Sequence, residues 1–249
     1  MTDSGSFSQF GICDGARAGR PWHAEARLAF QRTTSLHKIE RAAGALLGME
    51  ADAAKAVYFV LSGWLASSKS LRNGQRQIVD IQLPGEFIDT RLSDMQASAT
   101  QIETLTPVTL AVVPRGNWMR LLQEYPEILA RHERDVAAVL SRMSERMLRL
   151  GKSSAQARIA YTLIELGLRS SAFGPGESQE FHIPMTQQSL GDFTGLSSVH
   201  VCRTLGQLER MGVVSTNGHM DILIHDIEQL AAIAEIDVAL LRGELNSAA

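Results

Sequence analysis

The pattern of apolar and polar positions changes period along the chain, and each change predicts a new kind of structure. Between Leu36 and Pro114 apolar residues form short runs and alternations broken by turn residues, which is typical of β-strands. Residues 56–61 are apolar without interruption and predict a buried strand, residues 77–83 alternate, and Asn73-Gly74 is a strong hairpin turn. Many short strands at this spacing predict a small antiparallel barrel or roll.

After Pro114 the period becomes helical, with a short helix expected over residues 117–124 and a long helix from Pro126 onward. The long helix has an apolar seam of about four heptads. We expect this seam to form a homodimer rather than to pack within the chain, because an isolated seam would expose too much apolar surface. Its residues are Leu129, Val136, Val139, Leu140, Met143, Met147 and Leu150. The arginines of this helix lie mostly off the seam and are expected to form a solvated face; they are Arg131, Arg134, Arg142, Arg146 and Arg149.

Residues 185–210 have the pattern of two short helices joined at a tight turn. Gly195 lies where the chain must reverse, and Ser197 is a good N-cap for the second helix. That helix has one apolar stripe at i, i+4 and i+7, formed by Val201, Leu205 and Leu208. Its opposite face presents Arg203 among small or polar residues. The pattern favours a helix-turn-helix that presents one helix to the major groove of DNA over an ordinary helical hairpin in a core.

The flanking segments extend this unit. A further amphipathic helix is expected over residues 155–168, and residues 213–225 read as strand, turn and strand, hence a wing after the second helix. The fold class is therefore predicted as α+β, with an N-terminal antiparallel β-roll, a long dimerisation helix and a C-terminal winged helix-turn-helix. We expect a lead-in segment at 1–33, the roll at 34–125, the dimerisation helix at 126–153 and the DNA-binding domain at 154–249.

The charge distribution limits the kind of DNA binding. The 249 residues carry a net charge of −3. From Ser154 onward the chain contains five arginines, no lysine and eleven acidic residues. Non-specific affinity scales with the number of phosphates that are neutralised. The sequence therefore argues against a protein that coats DNA without regard to sequence, and it leaves room for a specific reader with a small basic face.

Other classes of protein are disfavoured. No stretch approaches 18 uninterrupted apolar residues, and the amino terminus lacks a basic segment followed by an apolar one, so neither a membrane span nor a secretory signal is expected. The two cysteines, Cys13 and Cys202, cannot form a disulfide framework, which fits a reducing cytoplasm. No paired-carboxylate motif, nucleophile elbow, phosphate-binding glycine loop or zinc-ligand spacing supports an enzyme.

The order of a strand-rich region, a long helix and a winged helix-turn-helix resembles the Crp/Fnr superfamily of bacterial transcription regulators over residues 34–235. The strings that carry the resemblance are Tyr-Phe-Val-Leu-Ser-Gly at 58–63, Leu-Pro-Gly-Glu-Phe at 83–87, Ala-Arg-Ile-Ala-Tyr-Thr-Leu at 157–163, Met-Thr-Gln-Gln-Ser-Leu-Gly at 185–191 and Gly-Leu-Ser-Ser-Val-His-Val-Cys-Arg-Thr-Leu at 195–205. The last two are the most specific. The Leu-Ser-x-Val-His-Val-x-Arg form is similar to a subgroup common in alphaproteobacteria.

The resemblance implies a homodimer that binds an inverted repeat in double-stranded promoter DNA, with RNA polymerase as a further partner. The residues expected to contact base edges are Ser198, Val199, His200 and Arg203, of which Arg203 suits a bidentate contact with guanine. The residues expected to contact the DNA backbone are Thr186, Gln187, Gln188, Ser197, Asn217 and His219. Members often carry glutamate at the position of Val199, so half-site preference is expected to differ there.

Departures from the family pattern bear on the effector. Cyclic-AMP-binding members hold the ribose with a Gly-Glu pair that aligns here with Asp89-Thr90, and their phosphate-binding Arg-Ser pair falls in residues 96–100, which lack arginine. A buried phosphate without a cation would lose a charge-assisted pair, so cyclic AMP is not expected to bind. The cysteines are too few for an iron–sulfur cluster. No metal site is predicted, and haem stays open because His23, His37 and His132 have no assigned place.

Two alternatives accompany this interpretation. Cys202 lies beside the predicted recognition face; its ordinary interpretation is a small hydrophobic residue, and the alternative is a redox-sensitive thiol. For the whole chain, the alternative is a sensor or scaffold with a cyclic-nucleotide-binding-like domain whose helix-turn-helix no longer binds DNA. The acidic carboxyl-terminal half is the feature that favours it.

Overall fold

The structure, a computed structural model, describes residues 22–47, 56–89, 100–170, 179–217 and 220–247. They belong to two units, the first within Met1–Gln75, Val79–Leu140 and Asn246–Ala249, and the second within Arg76–Ile78 and Ser141–Leu245. The first contains helix α1 (Ala24–Ser35), strands β1 (Lys38–Arg41), β2 (Leu46–Leu47), β3 (Ala56–Ser62), β4 (Leu65–Ser70), β5 (Arg76–Gln82, from Val79 onward), β6 (Phe87–Asp89), β7 (Gln101–Thr104) and β8 (Val108–Pro114), helix α2 (Arg115–Glu124) and the first half of helix α3 (Pro126–Lys152).

The strands of the first unit form two four-stranded sheets. Their strand orders are β1-β8-β3-β6 and β2-β7-β4-β5. The pairs β1–β8, β3–β8, β3–β6, β2–β7 and β4–β7 are antiparallel. The Asn73-Gly74 turn joins β4 to β5, with Gly74 at φ +85°. The predicted antiparallel roll is confirmed, including the buried strand at its centre.

Strand β3 is buried on both faces, which explains its unbroken apolar run. Val57 and Phe59 lie in one hydrophobic cluster, together with helices α1 and α2. Tyr58 and Val60 point the other way into the cluster between the sheets, with Leu65 and Leu110. A strand packed on two sides has no polar face to show in the sequence.

The last residues of the predicted lead-in segment form helix α1 and belong to the core. Trp22 and Phe30 are buried, and their rings meet edge to face with centroids 5.2 Å apart. The Phe30 ring also packs against Phe59 of β3 and Trp118 of α2, with ring centroids 5.2 Å and 6.3 Å apart. Widely spaced aromatic residues give no periodic signal, although each buries a large apolar area once the strands assemble. Residues 1–21 lie outside the described part of the chain.

The second unit contains the rest of α3, then α4 (Ala155–Arg169), β9 (Gln179–His182), α5 (Gln187–Thr194), α6 (Ser198–Arg210), β10 (Val214–Thr216), β11 (Asp221–Ile224), α7 (Ile227–Ala234) and α8 (Val238–Ser247). Its three strands form one antiparallel sheet of order β10-β11-β9. Ser154 caps α4 by accepting from Ala157 N at 3.1 Å, and Asp226 caps α7 by accepting from Gln229 N at 2.8 Å. This order of helices and strands matches the predicted winged helix-turn-helix.

Helix α3 runs from Pro126 to Lys152, as its pattern predicted. The solvated arginine face is a wrong expectation for its last turns, because the side chains of Arg142, Arg146 and Arg149 are each only 8% exposed. Heptad spacing shows which positions are apolar, but it does not show what packs against the polar ones. The division between the two units falls inside this helix, after Leu140.

Two kinds of feature are absent from the described ranges. None of their helices is long and apolar enough to cross a membrane. Nor do they bring together three or more histidine, cysteine, aspartate or glutamate side chains that could hold a metal ion. His132, one of the histidines without an assigned place, packs its ring 4.8 Å from that of Phe87 and 5.6 Å from that of Trp118.

Near the start of α3, Asp135 forms an ion pair with Arg131, whose Nε lies 2.7 Å from Oδ1 and 2.9 Å from Oδ2. Burial nevertheless raises the pKa of Asp135 to about 6, helped by Glu86 and opposed by Arg131 and Arg134. Since this pKa lies above the ordinary value of 3.8, the folded protein binds a proton between pH 4 and 6 that the unfolded chain releases. The ionised carboxylate therefore costs stability above that window.

We predict that Asp135→Asn removes this pH dependence. The free energy of unfolding of the wild type should fall by roughly 2–3 kcal/mol relative to that of the variant as the pH rises from 4 to 7. Urea unfolding of both proteins at one concentration across this range measures the difference, in which other titrating groups cancel. A difference that is constant with pH would contradict the prediction.

Candidate nucleic-acid interface

Helix α5, the first helix of the helix-turn-helix, begins at a side-chain cap. The Oγ1 of Thr186 accepts a hydrogen bond from Ser189 N at 3.1 Å, which satisfies one of the free N–H groups of the first turn. Gln187 and Gln188 follow on the exposed side, and Gln188 donates to Asp192 Oδ1 at 2.8 Å. The amino-terminal end of a helix carries a partial positive charge, so this surface suits an anionic group.

The turn between the two helices requires glycine at two positions. Gly195 has φ +68° and ψ 35°, the left-handed conformation that ends many helices. A Cβ on Gly195 would lie 2.5 Å from Leu150 Cδ2, and a Cβ on Gly191 would lie 2.4 Å from the Leu196 carbonyl oxygen. The predicted reversal at Gly195 is confirmed, and Leu150 of α3 packs against it.

The second helix, α6, is held by the stripe that the sequence predicted. Val201, Leu205 and Leu208 are buried, as is Thr204 between them. Ser197 caps the helix by accepting from His200 N at 3.3 Å. One face of α6 is therefore fixed in the core of the unit, and the opposite face is left to solvent.

The predicted base-contacting residues lie together on that solvent face. Val199 is 65% exposed, His200 and Arg203 are also exposed, and Ser198 is half-buried at the start of the helix. Cys202 is exposed beside them rather than packed as a small hydrophobic residue. A cluster of one arginine, one histidine and small side chains at a helix amino terminus can approach base edges closely.

The carboxyl-terminal half of α6 is hydrogen-bonded to neighbouring elements. Gln207 is half-buried, and its Oε1 accepts from Gln156 Nε2 of α4 at 3.2 Å. Glu209 Oε1 accepts from Thr216 N at 2.9 Å and from Thr216 Oγ1 at 2.5 Å, which joins the end of α6 to the first wing strand. Sequence reasoning missed this link, because a glutamate at a helix end has no distinctive signal.

The wing tip follows β10. Asn217 is exposed and its side-chain amide donates to the Asp221 carboxylate, while His182 Nδ1 lies 2.6 Å from Asp221 Oδ1. These contacts link the strands β9 and β11 at the base of the tip. His219, predicted to reach the DNA backbone, lies outside the described residues, as does Gly218.

Several acids of the carboxyl-terminal half have structural partners. Glu165 is buried against Arg146 and Arg169, Glu209 binds the wing, and Asp226 and Asp237 cap helices α7 and α8. The oxygens of a carboxylate that caps a helix or pairs with arginine are already engaged by donors of the protein itself. The acidic balance of this half is therefore compatible with an exposed face of α6 that carries Arg203.

Comparison with known proteins agrees with this architecture. The cyclic nucleotide-binding domain family matches residues 38–125, and the Crp-like helix-turn-helix domain family matches residues 157–233. Together they account for the roll and for the reader with its wing.

Two relatives and one solved structure extend the comparison. The nitrogen fixation regulation protein FixK of Bradyrhizobium diazoefficiens is 32% identical over 198 residues, which cover 79% of this chain and 81% of that protein. The protein of the same name from Azorhizobium caulinodans is 30% identical over 173 residues, covering 70% and 69%. The structure of FixK2 from Bradyrhizobium japonicum shares the fold, with a TM-score of 0.68 at 23% identity over 79% of this chain and 96% of that chain.

The two family models match residues 38–125 and 157–233 in this order, and FixK of Bradyrhizobium diazoefficiens shares about a third of the sequence over four fifths of both chains. Other relatives are named as transcriptional activators. This chain belongs to the Crp/Fnr family of DNA-binding transcription regulators.

Proposed function

We propose that the protein regulates transcription as a homodimer that binds an inverted-repeat promoter site through α6, without control by cyclic AMP. The observation that carries this proposal is the exposed face of α6, where Val199, His200 and Arg203 stand opposite a fully buried stripe. Two such helices related by a two-fold axis would enter successive major grooves about 34 Å apart.

The roles within one half-site follow from side-chain chemistry. Arg203 suits the O6 and N7 acceptors of guanine, and Val199 suits a thymine methyl group. Ser198 and His200 lie next to them in the first turns of α6. We assign the backbone contacts to Thr186, Gln187, Gln188, Ser197 and Asn217, whose side chains or neighbouring N–H groups are exposed at helix starts and at the wing. His219 is assigned the same role from the sequence alone.

An exposed apolar stripe on α3 supports the homodimer. Leu129, Val136, Leu140, Met143 and Met147 are all exposed and follow one another at intervals of seven, four, three and four residues. That is the spacing of a two-stranded coiled-coil seam, which a second copy of the same helix fits. Val139 and Leu150, predicted for the same seam, are half-buried, and Leu150 also packs against Gly195.

The proposal that cyclic AMP does not control the protein rests on the sequence. Asp89 ends strand β6 where cyclic-AMP-binding members have the ribose-binding pair, and residues 96–99 lie outside the described ranges. No cofactor is proposed, and haem stays a matter for absorbance measurements on purified protein. Relatives named as transcriptional activators support RNA polymerase as a partner.

Removing the proposed guanine contact should weaken specific binding. We predict that Arg203→Ala costs about 1–3 kcal/mol, or roughly 5- to 150-fold in Kd for the cognate site. A mobility-shift titration measures the change, with Arg242→Ala on an exposed part of α8 as the matched control. An unchanged Kd for Arg203→Ala would exclude this residue as a base contact.

A charge at the last position of the exposed α3 stripe should separate the protomers. Met147, which is 72% exposed, can be changed to glutamate with little effect on the protomer's own core. We predict that Met147→Glu halves the mass measured by light scattering and abolishes binding to the full inverted repeat. Leu71→Glu, in the exposed β4–β5 turn, should leave both unchanged. A dimeric Met147→Glu protein would place the interface elsewhere.

Oxidation of Cys202 is predicted to weaken DNA binding. The thiol is exposed on α6 one position before Arg203, where a sulfinic acid would add bulk and negative charge near phosphate. Peroxide should raise the Kd of the wild type and have no effect on Cys202→Ser. Equal responses of the two proteins would leave Cys202 without a redox role.

A further inference from the structure

The last turns of α3 hold arginines that have been removed from water. Arg146 and Arg149 are each only 8% exposed. A guanidinium is costly to bury unless its charge is paired and its N–H groups are hydrogen-bonded. The partners of these side chains therefore show which elements α3 holds in place.

Arg146 joins α3 to two helices of the reader unit. Its guanidinium carbon lies 4.0 Å from the centre of the Phe193 ring in α5, and its terminal nitrogen lies 3.3 Å from Glu165 Oε2 in α4. Glu165 is 1% exposed and also accepts from Arg169 at 3.0 Å. Phe193 is itself buried in the helix that precedes the recognition helix.

Arg149 makes a second connection one turn later. Its guanidinium carbon lies 3.9 Å from the centre of the Tyr161 ring in α4, and it donates to the Ala234 carbonyl at the end of α7 at 2.7 Å. Glu145 accepts from the same guanidinium at 2.7 Å. Burial and the carboxylates of Glu165 and Glu145 hold the pKa of the Tyr161 phenol above its usual value, so the ring stays neutral. A positive charge at a helix carboxyl terminus is also favourable.

These contacts lie on the same turns of α3 as the exposed stripe. Met143 and Met147 point to solvent between the buried positions 142, 146 and 149. One face of these turns is thus available to a second protomer, and the other is fixed to α4, α5 and α7. A planar guanidinium that stacks and donates in fixed directions holds an orientation better than a flexible ammonium group.

We infer that Arg146 and Arg149 are positioning residues that set the separation of the two recognition helices in the dimer, and hence the half-site spacing that the protein accepts. The inference rests on the proposed homodimer on an inverted repeat. Two sets of contacts connect α3 to the helix-turn-helix: Arg146 contacts Phe193 and Glu165, and Leu150 packs against Gly195. A looser connection would let each reader reach half-sites at other spacings.

The experiment uses the full chain and duplexes that carry two inverted copies of one half-site sequence. The wild-type protein first selects this sequence from random DNA. The duplexes differ only in the number of base pairs between the half-sites: the selected number, one fewer, one more and two more. One base pair moves the second half-site by about 3.4 Å along the helix and rotates it by about 35°. A rigid dimer is sensitive to both changes.

Arg146→Lys and Arg149→Lys keep the charge but lose the planar fork, and Arg120→Lys, at an exposed arginine of α2, is the matched control. The wild type and the control should prefer the selected spacing by about tenfold or more in Kd. In the two variants this preference should shrink at least about threefold, with the base preference inside the half-site unchanged. Light scattering and thermal unfolding of the same samples check the dimer and the fold.

Variants that stay folded and dimeric and keep the wild-type spacing preference would overturn the inference and leave the proposed function standing. An equal loss of affinity at every spacing would also overturn it, since that is the result of general support of the fold. Wild-type protein that selects no inverted repeat would overturn the proposed function, and the inference with it. Should an arginine variant unfold, Phe193→Leu keeps an apolar side chain in the core, removes the ring on which Arg146 stacks and is expected to give the same loss of spacing preference.

Discussion

The burial of one carboxylate organises the second unit. Glu165 is almost inaccessible to water and lies between Arg146 of α3 and Arg169 of its own helix. An uncompensated buried charge costs about 3–5 kcal/mol when a partner is removed, so both arginines must be in place for the unit to pack. Once they are, Arg146 also covers Phe193, and α5 is fixed on α4. The helix directly before the recognition helix is thereby held in place.

Helix α3 combines two surfaces that have opposite chemistry. One is an apolar stripe left exposed, and the other is a row of buried arginines with stacked aromatic partners. The first suits a second copy of the chain, and the second holds the reader of its own chain. In the proposed dimer, a helix that carries both surfaces would relate the two-fold symmetry to the arrangement of the two α6 helices. The base preference would then depend on the functional groups of the exposed α6 residues, because the scaffold sets their position.

Much of the reader was predictable because its determinants are local. The caps at Ser197 and Asp226, the left-handed turn at Gly195 and the buried stripe of α6 each depend on residues within a few positions of one another. The exposed side of α6 follows directly from the buried side by helical geometry. The roll was predictable in kind from short strands and turns, although strands such as β1 and β2 were not recognised individually.

What the sequence by itself determined is therefore the set of elements and which face of each is apolar, because period and capping are properties of neighbouring residues. Only the tertiary structure decided the environment of polar residues on those elements. The arginines of α3 looked like a solvated face until Glu165, Tyr161 and Phe193 were brought against them from distant positions. Trp22 and Phe30 became core residues in the same way, through contacts with Phe59 and Trp118. A charge or a lone aromatic residue has no period, so its partner is known only when the chain has folded.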